Sequence, residues 1–579
     1  MTPKKEGKRK EVLLIFKTHL DIGFTDFSKN IIDKYLTEYI PNAIRVGYEL
    51  QGTKTPFVWT VGSWLVWQAL NNDKDGVVER AIRDGILRWH ALPFTTHTEL
   101  MDTALFTYGV ELSKRLDARF GTETKGAKMS DVPGHTVGIV PIMKQNGITF
   151  LHIGVNPATP LPPVPSLFRW KCGKDEIRVM YQGDYGQDFD LGDTVVVFAH
   201  TGDNLGPQNA EEIVKVYAEL REKYPDFDIK VGSISDIAER VDAILDLPVV
   251  DGEIGDTWIH GIGTDPEKVS RFKKVQRYLA SRDAIEEDLT DSLLLVPEHT
   301  WGLDMKGQFR YDKYYAHDDI LRMREECATV EASWKEQRAY VEAAEKAFGI
   351  TPDYPICEPN IADYTEIPLP DDIDFEISWQ LFDASDYERY KRDYMRCSLE
   401  WAIWDFTKPG LGLYNGGIFV ARVTRAYQKE EERLYLLEFD EDVVNAYGLP
   451  RFYLRLAENM AEVKWFGKKP SRFPQAFWLK IKGFEEKWQI HKMGRWISPE
   501  SIIGSPYICG TDFGVRNDSC TIESLDCALV SPYGRRLLQY GETPSRQNLY
   551  FNLYNNIWNT NFPMWYSDDA MFRFVIHRS

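Results

Sequence analysis

The chain has no C-x-x-C pair, and its seven cysteines (Cys172, Cys327, Cys357, Cys397, Cys509, Cys520 and Cys527) are scattered over 579 residues. Odd in number and widely spaced, they argue against a disulfide framework and against a thiolate zinc site, and they fit a reducing compartment. No apolar run approaches the roughly 18 residues that a membrane-spanning helix needs, so no membrane partner is expected. Positive charge is also short, with 69 Lys and Arg against 88 Asp and Glu for a net charge of -19. Nucleic-acid binding needs clustered cations that displace counterions, so nucleic acid is not expected either. Internal repeats and low-complexity tracts are absent. The opening MTPKKEGKRK is basic, like the start of a signal peptide, but the apolar run after it, Val12 to Phe16, is short and passes into a polar motif. It reads as a first strand, so the expectation is a cytoplasmic protein without an export signal.

A hydrophobic fraction of 43% and a charged fraction of 27% fit a globular chain, and the length calls for two or three domains. From Val12 to about Asp265, short β-branched runs alternate with amphipathic stretches. The strand candidates are Val12–Phe16, Phe57–Val61, Ile86–Ala91, Ala127–Asp131, Thr149–Gly154, Thr194–His200 and Ile229–Ile234. Seven such units predict a (β/α)7-type barrel over residues 1–265, with an open doubly wound sheet as the rival. Residues 266–350, rich in Lys, Arg, Glu and Ala at helical spacing, predict a helical bundle. The Pro- and Asp-rich stretch 351–374 reads as a linker. One helical piece, Tyr387–Thr407, then precedes many short alternating strands, so residues 375–579 predict a C-terminal domain rich in β-sandwich. The fold class is therefore α/β plus β. The 17 Trp suit sugar stacking or core filling, and the core reading is favoured.

Four motifs carry candidate chemistry. His19 and Asp21 lie two apart in THLDIGF directly after the first strand, where loops of a β/α barrel build active sites. Asp131 ends the strand before VPGHT, Asp203 follows VVVFAHTG, and His260 sits in GDTWIHGIGT. Taken singly, each has a plain structural reading as a helix cap, a turn or a buried histidine. Taken together on one barrel face, His19, Asp21, Asp131 and His260 form the mixed nitrogen and oxygen donor set that suits Zn2+. Asp203 is then the free carboxylate for general acid catalysis.

The order HLDIGF, MSDVPGHT, TGDNLGP and GDTWIHGIGTDPEKVSRFKKVQR resembles glycoside hydrolase family 38, the α-mannosidases, as a divergent member, over roughly residues 11–310. The resemblance implies a zinc-dependent retaining glycoside hydrolase acting on a carbohydrate. Carried over, it makes His19, Asp21, Asp131 and His260 the zinc ligands, Asp131 also the nucleophile, Asp203 the acid/base and Phe24 an aromatic platform under the sugar. His97 and Glu99, His135 of the nucleophile motif, and His299 and Trp301 are the further expected substrate contacts. The chain departs from the family at Gly154-Val155-Asn156, where an Arg is usual, at Pro133 in place of a Phe, and at Phe24 in place of a Trp. A metal-dependent carbohydrate deacetylase is one rival, although no H-x-x-x-H pair is present. A non-catalytic carbohydrate-binding protein is another, and self-association is left open.

Overall fold

The computed structural model describes residues 10–282, 291–308, 314–483, 487–541 and 543–578. The basic opening, residues 1–9, and parts of the expected bundle, residues 283–290 and 309–313, lie outside them. The chain divides into two compact units, one of residues 1–96, 106–133 and 139–252, the other of residues 97–105, 134–138 and 253–579.

In the first unit each of the seven expected strands forms, as Glu11–Thr18, Trp59–Gly62, Leu87–His90, Gly126–Asp131, Phe150–Val155, Thr194–Thr201 and Asp228–Val231. Val12 to Phe16 are almost completely buried, as a near-continuous apolar run predicts for a strand covered on both faces of a parallel sheet. Glu11–Thr18 pairs in parallel with Thr194–Thr201 along its length, with Asp228–Val231 at its start and with Trp59–Gly62 at Phe16.

The ladders do not by themselves close a continuous barrel. The strands fall into two sheets, one around Glu11–Thr18 and the other running from Gly126–Asp131 through Phe150–Val155 and Asp175–Gly183. Leu87–His90 spends its ladder on Trp59–Gly62, and one backbone bond from Ala91 N to Gly126 O, 3.0 Å, links its end to Gly126–Asp131. Sequence reading also missed the antiparallel hairpin of Leu167–Cys172 and Asp175–Gly183. It missed the helix Ser63–Asn71 as well, which follows its strand with no intervening break. Leu13, Ile15, Val196 and Phe198 of one sheet and Phe150 and Met180 of the other share a core with Ile234, Ile237, Ala238 and Val241. Ile234, read as the end of a strand, instead opens the helix Ile234–Asp242.

In the second unit Pro266–Ala280 and Ala328–Phe348 are the long helices of the expected bundle. Arg271 of the first donates to Glu345 of the second at 3.0 Å. These helices do not form a unit of their own and belong with the β-rich remainder. The linker expected at 351–374 is fastened to that remainder: Thr365–Ile367 pairs with Arg422–Lys429, and Ile356, Ile361 and Tyr364 pack on Tyr427, Leu434 and Tyr453. The single helical piece expected at Tyr387–Thr407 is two helices, Ala384–Tyr394 and Glu400–Phe406. Two antiparallel-paired sheets, of ten and six strands, share one apolar core, which makes this region a sandwich. Trp465 of the first meets Phe477 of the second with ring centroids 5.3 Å apart. None of the seven cysteines is in a disulfide. Among the described residues no helix is long and apolar enough to cross a membrane.

Lys492, 2% exposed, ties the second unit together by donating to Glu99 and facing Glu253 at 3.5 Å. Removing the cation leaves two buried carboxylates uncompensated. Lys492→Met should therefore lower unfolding free energy by about 3–5 kcal/mol in denaturant titration, whereas a loss under about 1 kcal/mol would mean that the pair is not held as described.

Candidate active site

The loops after four strands of the first unit converge on His19. Its Nε2 lies 3.1 Å from Asp21 Oδ1, and its Nδ1 is 2.9 Å from Ser130 Oγ. Both side chains are buried, at 1% and 6% exposure. Atoms of His19, Asp21 and Asp203 that can bind a metal all lie within 4.8 Å of one another. Asn204 holds the two loops in place: its backbone N donates to His19 O at 3.1 Å, and its Oδ1 accepts from Asp21 N at 3.1 Å. Tyr39, in the π-helical turn Tyr35–Tyr39, donates to Asn204 O at 2.8 Å. Such a turn inside a longer helix often marks a functional site.

Asp131 is reached from two sides. Asn156 Nδ2 donates to its Oδ1 at 3.0 Å, and the Tyr185 hydroxyl contacts the same oxygen at 2.9 Å. Asn156 thus supplies a carboxylate contact in the stretch where the sequence lacks the family's Arg. Tyr185 also reaches Asp203 Oδ1 at 3.2 Å and stacks on His19 with ring centroids 4.6 Å apart. Tyr185, Asn156, Asn204 and Ser130 were not picked out from sequence. Their signal is geometric, apart from the Asn156 position, where an expected residue was missing.

Three site residues sit in backbone that costs free energy. Asp131, Phe24 and Tyr185 have φ of 81°, 60° and 57°. Each is the middle of a three-residue turn closed by a bond from the next residue's N–H to the preceding carbonyl: Val132 N to Ser130 O, Thr25 N to Gly23 O and Gly186 N to Asp184 O. Non-glycine residues persist there only where surrounding contacts over-determine them, and such residues cluster at functional sites.

The electrostatics follow from crowding. Burial pushes the Asp203 carboxyl up to about 6, the charges of Asp21 and Asp131 push it the same way, and His19 and the Tyr185 hydroxyl oppose them. For His19, burial disfavours the cation, but Asp21, Asp131 and Asp203 outweigh burial and raise its pKa. Burial and the same three carboxylates hold the Tyr185 phenol well above its usual range, so it keeps its proton. A phenol has one hydrogen to donate. Given to Asp131 at the shorter distance, it leaves the Asp203 contact satisfied only when Asp203 is protonated and donates to the phenol oxygen.

The remaining expected residues lie in the second unit. His260 is fully buried, burial lowers its pKa to about 3, and neither ring nitrogen has a hydrogen-bond partner among the described residues. His97, His135 and His299 are buried close together: burial pushes His97 down to about 3, helped by His299, His135 and Lys268. His135 Nδ1 is 3.3 Å from Thr98 Oγ1, and His299 Nδ1 is 2.6 Å from Glu298 Oε1. Trp301 is 1% exposed and carries Lys268 Nζ 3.7 Å over its ring. The Glu99 carboxylate is taken up by Lys492 and by Gly510 N at 3.1 Å, so it serves a buried ion pair.

The chain's overall architecture matches two solved structures. An α-mannosidase from Enterococcus faecalis V583 superposes with a TM-score of 0.60 at 9% identity, covering 99% of this chain and 87% of that one. A protein in the glycosyl hydrolase family 38 from Enterococcus faecalis gives 0.55 at 9% identity, with 99% and 86% coverage. The fold is that of glycoside hydrolase family 38. Residues 262–352, at the long helices of this family 38 fold, also match the family described as Domain of unknown function (DUF5054). No curated protein matches in sequence.

The donors in this family 38 fold suit a borderline divalent ion such as zinc: one imidazole, several carboxylates, and a second imidazole nitrogen engaged by Ser130, as metal-binding histidines usually require. Ser130→Ala should weaken the binding of a divalent metal ion by about 10–100-fold in chelator competition. Unchanged affinity would mean that the Ser130 contact does not orient a ligand.

Proposed function

We propose that the protein is a zinc-dependent retaining glycoside hydrolase, α-mannosidase-like in its substrate, with Asp131 as nucleophile and Asp203 as acid/base. The observation that carries this reading is the pairing of two carboxylates of unequal character through one phenol. The Asp131 and Asp203 oxygens lie 2.9 and 3.2 Å from the same Tyr185 oxygen. Those two oxygens therefore lie no more than about 6.1 Å apart, which accommodates the roughly 5–5.5 Å between the carboxyl groups of a retaining pair. The hydrogen-bond count and the raised pKa of Asp203 both support a proton on Asp203.

In the first step Asp131 attacks the anomeric carbon while Asp203 gives its proton to the departing oxygen. In the second, Asp203 takes a proton from the water that releases the sugar. Tyr185 and Asn156 hold the Asp131 carboxylate oriented, and Phe24 offers a ring to the sugar. The resemblance in sequence implies His19, Asp21, Asp131 and His260 as zinc ligands, and the proposal rests on the first three, which lie in one unit. Bound there, zinc would supply Lewis-acid polarisation and a grip on sugar hydroxyls.

The proximity of Asp203 to His19 and Asp21 favours a second reading, in which Asp203 is itself a ligand. The Asp203→Asn variant separates the two. Under the proposal it retains its zinc by elemental analysis and loses turnover of p-nitrophenyl glycosides, least on substrates with the best leaving groups. Loss of zinc in parallel with activity would make Asp203 a ligand. Lack of turnover on every p-nitrophenyl glycoside by the zinc-loaded protein would overturn the hydrolase reading.

The pH dependence has a definite sign. A raised carboxyl pKa keeps the acid form below about 6 and loses it above. For substrates with poor leaving groups, kcat/KM should fall as pH rises through about 6, and this limb should be missing from the residual activity of Asp203→Ala. A limb that persists in the variant would assign the acid to another residue.

A further inference from the structure

Beneath the site, a closed chain of hydrogen bonds grips the turn that carries Tyr185. Gln187 O can only accept, so Gln182 turns its Nε2 toward it at 3.1 Å. Gln182 Oε1 then accepts from His152 Nε2 at 2.9 Å and from Gln187 N at 3.3 Å. His152 therefore carries its hydrogen on Nε2 and offers the lone pair of Nδ1 to Lys128 Nζ at 2.8 Å. Lys128 Nζ also donates to Tyr185 O. The chain starts and ends in the same loop, and its terminal carbonyls fix every intermediate orientation.

The surrounding packing leaves this grip little play. Lys128 and His152 are 1% and 0% exposed and face each other in register on Gly126–Asp131 and Phe150–Val155. Lys128 Nζ sits 4.7 Å over the Phe198 ring. The Tyr185 carbonyl rides on Gly154, where a Cβ would come within 2.5 Å of Tyr185 C and 2.6 Å of its O. Asp184 and Tyr185 are both left-handed, at φ 59° and 57°, so this turn needs outside contacts to hold it.

We propose that Lys128 and His152 are positioning residues whose hydrogen-bonded clamp on the 184–187 turn holds the Tyr185 hydroxyl between Asp131 and Asp203. Neither touches the reacting atoms, and both act through Tyr185. The proposal rests on the roles given above to the two carboxylates.

The test is a double-mutant cycle on the zinc-loaded full chain with p-nitrophenyl glycosides, comparing Lys128→Met, Tyr185→Phe and the pair. Lys128→Met keeps the bulk and removes the donors. It should lower kcat by about tenfold or more, since a misplacement of 1 Å costs up to about a hundredfold, with KM changed by less than about threefold. In the Tyr185→Phe background the same change should cost less than about twofold, because the hydroxyl it positions is gone. A crystal structure of Lys128→Met should show the Tyr185 hydroxyl displaced from Asp131.

Equal losses in both backgrounds would reduce Lys128 to a general structural role and overturn the proposal, as would a Tyr185 that stays in place. If Lys128→Met does not fold, Gln182→Leu breaks the far end of the same chain and is read by the same cycle. A parent protein that turns over no glycoside refutes the functional reading alone, and the crystallographic arm still decides whether the clamp holds the turn.

Discussion

Buried Asp21 and Asp131 and half-buried Asp203 surround one imidazole, and like charges this close do not all stay ionised without compensation. Three kinds of compensation are at hand. His19 is driven toward its protonated form, Asp203 toward its own, and Tyr185 gives its single hydrogen to Asp131. A divalent cation would replace the proton on His19 and release it on binding, so metal affinity and protonation at this site are linked. The strained turns at Phe24, Asp131 and Tyr185 bring the site's side chains together, and the stability of the rest of the unit holds them there.

The layer below works in the opposite sense. Lys17, His90, Lys128, His152 and His200 stand on five strands, and burial lowers the pKa of every one. Basic groups in such a layer lower one another further, as Lys17 and Lys128 do to His90 and His200. Lys128 and His152 escape isolation by bonding to each other and to the loop above. The first unit thus stacks an apolar floor, a basic layer and an acidic rim, each set by alternate residues of the same strands. Leu13, Ile15, Lys17 and His19 run through this sequence at a spacing of two.

The second unit shows how a charged residue read as functional can be structural. Glu99 is expected to contact the sugar because it falls where members of the resembled family present an acidic residue, although its place before a helix also suits a cap. Its carboxylate instead meets Lys492, almost four hundred positions away in sequence. His97, His135, His299 and Trp301 are gathered with Lys268, and a local motif cannot reveal which of them share an environment. The sandwich core depends likewise on distant pairing, with Trp379, Trp465 and Phe477 contributed by three separate strands.

What the sequence by itself determined was periodic and local. The seven strands of the first unit, the long helices near 266–350 and the alternating strands of the C-terminal region follow from the spacing of apolar residues. His19, Asp21, Asp131 and Asp203 stand out as candidates in the sequence because each sits at a strand end within a distinctive motif. Tertiary structure alone decided that the strands form two sheets, since ladder closure depends on strand length and register across long separations. It also decided which groups compensate the carboxylates. Tyr185 belongs to no motif, Ser130 and Asn204 sit in motifs without standing out there, and the hydrogen bonds that give these residues and Asn156 meaning join positions 25 to 183 apart. Charge and hydrogen bonding depend on distance in space, and only the folded chain sets that distance.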